Sequence, residues 1–147
     1  AGALLAGEMS GHIFFKERWF GFDDGLYSAA RMLEILAAQG LTAAQRFALL
    51  PNDVSTPEIT LKLEEDGAQH RFVEKFVAEA TFEGAQLTTI DGVRADFDYG
   101  WGLVRASNTT PAIVIRFEAV NSDKLAQLQR DFKKQLLATD PSLTLPF

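Results

Sequence analysis

Between Leu87 and Phe117 the chain turns back on itself again and again. Leu87 to Ile90 meets a turn at Asp91-Gly92, Val93 to Phe97 meets another near Tyr99-Gly100, and Trp101 to Val104 leads through a polar connection to Ala112 to Phe117. Strand-length runs joined by tight turns pair as antiparallel neighbours, because a parallel crossover needs on the order of a dozen connecting residues. Before this block, Ile59, Leu61 and Leu63 alternate with Thr60, Lys62 and Glu64 as in a half-buried strand, and Phe72, Val73, Phe76, Val77 and Ala80 recur at helical spacing. After it, Leu125, Leu128, Phe132, Leu136 and Leu137 mark a closing amphipathic helix. The order strand, helix, hairpin-linked strands, helix predicts an α+β domain, an antiparallel sheet covered on one face by helices.

The first third has a different rhythm. Ile13 to Phe15 reads as a short strand, and Asp23 or Asp24 can cap a helix from Gly25 to Ala38. Its apolar positions are Leu26, Ala29, Ala30, Leu33 and Leu36 or Ala37, and Gly40 suits the stop. Thr42 opens a second helical segment, Ala43 to Leu50, ended by Pro51. From there to Thr56 no apolar period persists, so we read 1–50 as the end of one domain, 51–56 as a linker or hinge, and 57–147 as a second domain. The opening apolar run lacks an initiating Met and reads as a piece of a longer polypeptide, with Ala3 to Ala6 ending a buried strand or helix.

Composition excludes several functions. A net charge of -6 argues against a nucleic-acid or anionic-membrane binder, which needs a concentrated basic face. No apolar stretch approaches the roughly 20 residues of a membrane helix, and the opening segment lacks the basic start of a secretory signal. With no cysteine there is no disulfide, thiolate nucleophile or cysteine-held zinc, which fits the cytoplasm.

Two polar segments carry chemistry. Arg105-Ala106-Ser107-Asn108-Thr109-Thr110-Pro111 holds a guanidinium, hydroxyls and an amide without a carboxylate. A planar fork can pair with phosphate oxygens bidentately while hydroxyls and turn N–H groups cover the rest, and no nearby negative charge is expected to oppose an anion there. The competing reading is an ordinary polar hairpin, since Asn, Ser and Thr are common turn residues. Gly7-Glu8-Met9-Ser10-Gly11-His12 puts a carboxylate, a hydroxyl and an imidazole between glycines. A carboxylate can accept from two neighbouring ring hydroxyls, and a histidine beside it can exchange a proton, so a sugar suits this set. A tight turn with a surface Glu and a partly buried His fits the same residues.

Both segments resemble loops of the α-D-phosphohexomutases. Gly7 to His12 is similar to the sugar-binding loop of that family's third domain, and Arg105 to Pro111 to the phosphate-binding loop of its fourth. Lys16 to Asp24 and Thr89-Ile90-Asp91-Gly92-Val93-Arg94 further resemble the bacterial phosphomannomutase/phosphoglucomutase branch. Met9 and Asn108-Thr109-Thr110 match that branch, where the phosphoglucosamine mutases tend to carry Gln and Gly-Thr-Glu. The resemblance covers essentially the whole chain, as the last part of domain three and all of a TATA-box-binding-protein-like domain four.

The resemblance implies a reversible exchange of phosphate between the 1- and 6-positions of glucose or mannose, through a phosphoserine and a hexose 1,6-bisphosphate that reorients midway. It implies that Glu8, Ser10 and His12 bind the sugar hydroxyls, that Arg105, Ser107, Asn108 and Thr109 bind the non-reacting phosphate, and that His12 assists proton transfer. Holding the distal phosphate would align the reacting end, the form of catalysis that dominates phosphoryl transfer. The parent enzyme is expected to use Mg2+ and a hexose 1,6-bisphosphate activator, to work on hexose phosphates alongside its own domains one to three, and to supply polysaccharide precursors. The serine nucleophile and the Asp-rich metal loop belong to the first two domains, and no segment here matches them. The chain alone is therefore expected to bind no metal and to be inert.

Other features carry blander readings. Phe14, Phe15, Trp19, Phe20 and Phe22 suit core or domain packing better than a sugar platform, His70 suits a helix surface, and Lys16 and Arg18 suit solvated charges. Three functions stay open on the sequence: the ligand-gripping part of a phosphohexomutase, with phosphoglucosamine mutase as a sister reading; a stand-alone sugar-phosphate binding module; and an interaction fragment with vestigial loops.

Overall fold

The computed structural model describes every residue except Ala1, Met9 and Gln39. The branch distinction drawn on Met9 therefore lies outside the described residues. The chain divides into two compact units, Ala1–Pro51 and Asn52–Phe147.

In the first unit, β1 (Leu5–Gly7) and β2 (Ile13–Phe15) form an antiparallel hairpin in register Leu5↔Phe15, Ala6↔Phe14 and Gly7↔Ile13. The opening run is thus a strand, but an exposed one, because β2 is its one partner among the described residues. Helix α1 (Gly25–Ala37) starts at Asp24, whose carboxylate accepts from Tyr27 N at 2.9 Å. Its inward face is not the apolar stripe that periodicity selects. Tyr27 meets the Phe15 ring edge-on at 5.4 Å and Arg31 lies over the same ring at 4.7 Å, while Leu26 and Leu33 are exposed. Trp19 stacks on Tyr27 at 4.2 Å, whereas Phe20 and Phe22 are exposed. Helix α2 is shorter than expected, Ala43–Phe47, behind a Thr42/Gln45 capping box. Leu49 and Leu50 donate instead to the carbonyls three residues back, a tightening that suits a chain about to enter Pro51.

In the second unit, β3 (Val54–Ser55) and β4 (Ile59–Lys62) both pair antiparallel with the eighth strand. The segment read as a linker therefore carries a strand. It is held there because Thr56 N donates to Phe117 O at 2.9 Å and Phe117 N donates back to Thr56 Oγ1 at 3.1 Å. After α3 (Ala68–Glu79), the strands β5 (Gln86–Thr88), β6 (Val93–Phe97), β7 (Gly100–Ala106) and β8 (Ala112–Ala119) run as an antiparallel meander, closed by α4 (Ser122–Thr139).

Period two decides which side chains enter the core. Val93, Ala95, Val104, Ala106, Ile113, Ile115 and Phe117 are buried beneath Phe72, Val73 and Phe76 of α3 and Leu128, Phe132 and Leu136 of α4. Burying each valine, leucine, isoleucine or phenylalanine among them contributes about 1.5–3 kcal/mol. Gly102 sets how closely α4 can approach, since a Cβ there would stand 2.4 Å from the Phe132 ring. The alternate residues Trp101, Leu103 and Arg105 lie on the opposite face, where Arg94 stacks over Trp101 at 4.1 Å. Strand β7 runs further than the sequence suggested, so Arg105 sits in the ladder opposite Val114 and the loop proper is 107–111.

Candidate functional site

The β7–β8 connection is tied down at both ends. Ser107 N donates to Ala112 O at 2.9 Å, Ala112 N donates to Thr110 O at 2.8 Å, and buried Gln69 on α3 donates its Nε2 to Ser107 O at 3.4 Å. Inside the loop Ser107 Oγ accepts from the amides of Thr109 at 3.4 Å and Thr110 at 3.3 Å, and lies 3.0 Å from Thr110 Oγ1. Ser107 is itself buried, so its hydroxyl organises the loop, while Asn108, Thr109 and Thr110 are exposed. Hydroxyl-to-amide bonds of this kind replace the missing ladder and hold a turn in one shape.

Arg105 stands at the start of this loop on the helix-free face, with about a third of its side chain (35%) exposed. Among the described residues its one ion partner is Asp91 Oδ2, 3.8 Å from Nη1. That corrects the expectation that no negative charge is near: the β5–β6 turn brings a carboxylate beside the guanidinium, although Asp91 is distant in sequence. Asp91 is itself 65% exposed, and at this length and exposure such a pair contributes about 0–1 kcal/mol. Arg105 is weakly restrained and its fork stays available. Gly92, in the same turn at φ +90°, packs so closely that a Cβ there would stand 2.8 Å from Arg105 Cα.

In the first unit, Glu8, Ser10 and His12 come together at the β1–β2 tip. Glu8 N donates to His12 O at 2.9 Å and Gly11 N to Glu8 O at 3.0 Å, with Gly11 at positive φ. Ser10 Oγ donates to Glu8 Oε2 at 3.0 Å, so carboxylate and hydroxyl present one exposed polar edge. His12 turns to Asp23, Nδ1 to Oδ2 2.6 Å, and this hydrogen bond, then the charges of Asp23 and Glu8, raise the imidazole pKa above its ordinary value. Asp24, the cap of α1, also accepts from Trp19 Nε1 at 3.1 Å. Arg18 is not a free cation: it forks onto both carboxylate oxygens of Glu34 at 3.1 Å, and that contact holds Glu34 below the usual carboxylate range. Arg31 lowers Glu17 in the same way. His70 is exposed on α3.

The family description "Phosphoglucomutase/phosphomannomutase, C-terminal domain" matches residues 57–135, and "Phosphoglucomutase/phosphomannomutase, alpha/beta/alpha domain III" matches residues 1–53. The chain belongs to the phosphoglucomutase/phosphomannomutase family. It is 56% identical over its whole length to the phosphomannomutase/phosphoglucomutase of Pseudomonas syringae pv. tomato, of which it covers 31%. A phosphoglucomutase of Neisseria meningitidis serogroup A is 51% identical across 99% of this chain. The crystal structure of a phosphoglucomutase/phosphomannomutase family protein from Burkholderia thailandensis superposes with a TM-score of 0.87 at 51% identity, covering 99% of this chain and 30% of that one. The chain thus spans about a third of the length of the relatives it matches.

For a phosphoglucomutase/phosphomannomutase chain, four residues around the loops were not singled out from sequence for these roles: Asp23 beside His12, Asp91 and Gly92 beside Arg105, and Gln69 beneath Ser107. Asp91-Gly92 was visible as a turn, and its contact with Arg105 follows from the β6–β7 pairing that begins at Val93↔Val104. The Mg2+ expected of the parent enzyme has no fitting ligand set, since no group of three or more His, Asp or Glu that could hold a metal occurs among the described residues. No helix among them is long and apolar enough to cross a membrane.

Proposed function

We propose that this chain is the substrate-recognising C-terminal part of a phosphomannomutase/phosphoglucomutase that reversibly interconverts hexose 1-phosphates and hexose 6-phosphates in the cytoplasm, through a phosphoserine and a hexose 1,6-bisphosphate. The observation that carries the reading is Arg105 at the mouth of a hydroxyl-braced loop whose Asn108, Thr109 and Thr110 are exposed. A phosphate monoester needs this combination, a planar cation and several neutral donors in one fixed turn. Glu8 and Ser10 would take adjacent sugar hydroxyls, and His12 the hydroxyl proton. The remaining machinery, serine nucleophile and magnesium included, would come from other parts of the parent, so this chain alone would bind sugar phosphate weakly and turn over none. The point of movement between the two units would be Pro51–Asp53, ahead of β3.

The test is a titration of glucose 1-phosphate into the chain while the amides of Gly102 to Ala112 are followed by NMR. Shifts confined to that loop, weakened about 10- to 100-fold by Arg105→Ala as expected for a charged hydrogen bond of about 1.5–3 kcal/mol, support the reading. Unmoved amides at millimolar ligand defeat it. Mutase turnover by the isolated chain with magnesium and glucose 1,6-bisphosphate would overturn the division of labour.

A further inference from the structure

We propose that Asp23 is the positioning residue for His12, holding its imidazole at the hairpin tip with the proton on Nδ1 and the Nε2 lone pair free to take a proton from a sugar hydroxyl. This rests on the proposed function only in naming the hydroxyl; the pairing stands on its own geometry.

The 2.6 Å separation between Nδ1 and Asp23 Oδ2 is that of a charge-assisted hydrogen bond. An ionised carboxylate has no proton to give, so the neutral ring must carry its proton on Nδ1, and Nε2 is left as an acceptor. Nε2 makes no hydrogen bond among the described residues. The backbone builds this arrangement before the side chains meet: Asp23 forms an antiparallel bridge with Phe14, two residues beyond His12 on the same strand path. Asp24 is already committed to Tyr27 N and Trp19 Nε1, which separates the two adjacent acids into a helix cap and a histidine partner. Exposed ion pairs are ordinarily weak because two long side chains must be ordered to make them. Here both residues are short and both backbones are fixed by pairing, so what the contact contributes is orientation and tautomer more than stability.

The acids that face His12 are Asp23, from the segment before α1, and Glu8, from its own hairpin. Both favour the imidazolium that forms once Nε2 has taken a proton. A general base so placed typically contributes about 10²–10⁴-fold to a rate, and a partner that fixes its tautomer governs how much of that is realised.

The chain has only two histidines, His12 and His70, so long-range proton–nitrogen spectra, assigned with a His70→Gln control, report the tautomer directly. We expect His12 as the Nδ1–H form in the unsubstituted chain; an Nε2–H form, or an unbiased mixture, overturns the proposal without any variant having to fold. In the full-length parent, Asp23→Asn is expected to lower kcat about tenfold or more with KM little changed, and to move the acid limb of the kcat profile to lower pH; Asp23→Glu should restore part of the rate. A fall in kcat with an unmoved acid limb overturns the positioning role. A fixed Nδ1–H tautomer with full activity in both Asp23→Asn and His12→Asn removes the pair from the reaction, again against the proposal, while leaving the phosphate reading of Arg105 intact. Absence of any hexose phosphate interconversion in the unsubstituted parent is the separate outcome that defeats the proposed function.

Discussion

Gly92 and Arg105 touch backbone to backbone: a Cβ on Gly92 would lie 2.8 Å from Arg105 Cα and 2.1 Å from the Val104 carbonyl oxygen. The strand register produces this contact, since the pairing Val93↔Val104 leaves position 92 opposite Arg105 with φ at +90°. The turn after β5 therefore braces the residue that the next hairpin offers to a ligand.

Gly92→Ala should accordingly do two things at once. The methyl meets backbone, which cannot yield as a flexible side chain would, and the positive φ adds strain, so unfolding stability should drop by about 1–3 kcal/mol. Arg105 should shift with its backbone, and glucose 1-phosphate affinity should fall further than stability alone explains. Denaturant midpoints and ligand titration at a temperature where the variant is folded measure both; wild-type values for each would show that the contact has slack.

Asp91→Asn tests the carboxylate 3.8 Å from Arg105 Nη1. A negative charge beside the fork opposes an incoming phosphate, and an exposed pair of this kind holds the arginine by about 1 kcal/mol at most. Removing the charge while keeping the turn-forming amide should tighten phosphate binding, by up to about fivefold, and raise its sensitivity to salt, because the attraction of Arg105 for the anion is then no longer offset by a neighbouring carboxylate. Weaker binding would mean that Asp91 orients the guanidinium more than it repels the ligand.

Gln69→Leu probes the floor of the loop. Gln69 is buried, its Nε2 donates to Ser107 O at 3.4 Å, and its Oε1 has no partner among the described residues. The substitution removes one long hydrogen bond and one unsatisfied oxygen together, so global stability should change by no more than about 1.5 kcal/mol in either direction. The local effect should be larger: amides of Thr109 and Thr110 should exchange faster, and phosphate affinity should weaken. Unchanged exchange at both amides would show that Ser107 holds the loop by itself.

How far all this was readable in the sequence depended on the range of each signal. Apolar runs between tight turns located β6, β7 and β8 in order, though not their full lengths, because those signals are local; which face of each strand enters the core emerged from the pairing. Helix α1 went the other way: Leu26 and Leu33 form its apolar stripe, yet the ring-and-guanidinium stack of Phe15, Tyr27 and Arg31 takes the inward face. Periodicity names a face that wants cover and does not say which neighbour provides it. The same limit hid the residues around the loops. Glu8, Ser10 and His12, and Arg105 to Thr109, sit in contiguous segments that can be scanned, whereas Asp23, Gln69 and Asp91 reach them across 11, 38 and 14 positions through strand pairing and helix docking. Ser107 shows a subtler gap, since its residue type suited a ligand contact and its geometry turns the hydroxyl onto the loop's own amides.

The hairpin should also respond to pH with a definite sign. Hydrogen bonding to Asp23, followed by the charges of Asp23 and Glu8, raises the pKa of His12 in the folded chain above its unfolded value of about 6.5. The folded hairpin thus binds a proton more tightly than the unfolded one, and by linkage this contribution is complete below that unfolded value and is lost as pH rises through the raised one. The amides that close the tip, Glu8 N on His12 O and Gly11 N on Glu8 O, should be better protected, after correction for intrinsic exchange, on the acid side of that window than on its alkaline side. In His12→Gln the difference should vanish, with protection resembling the alkaline wild type throughout. Protection that instead increases with pH would require the neutral imidazole to be the form the fold prefers, and would contradict a hairpin held by His12 and Asp23.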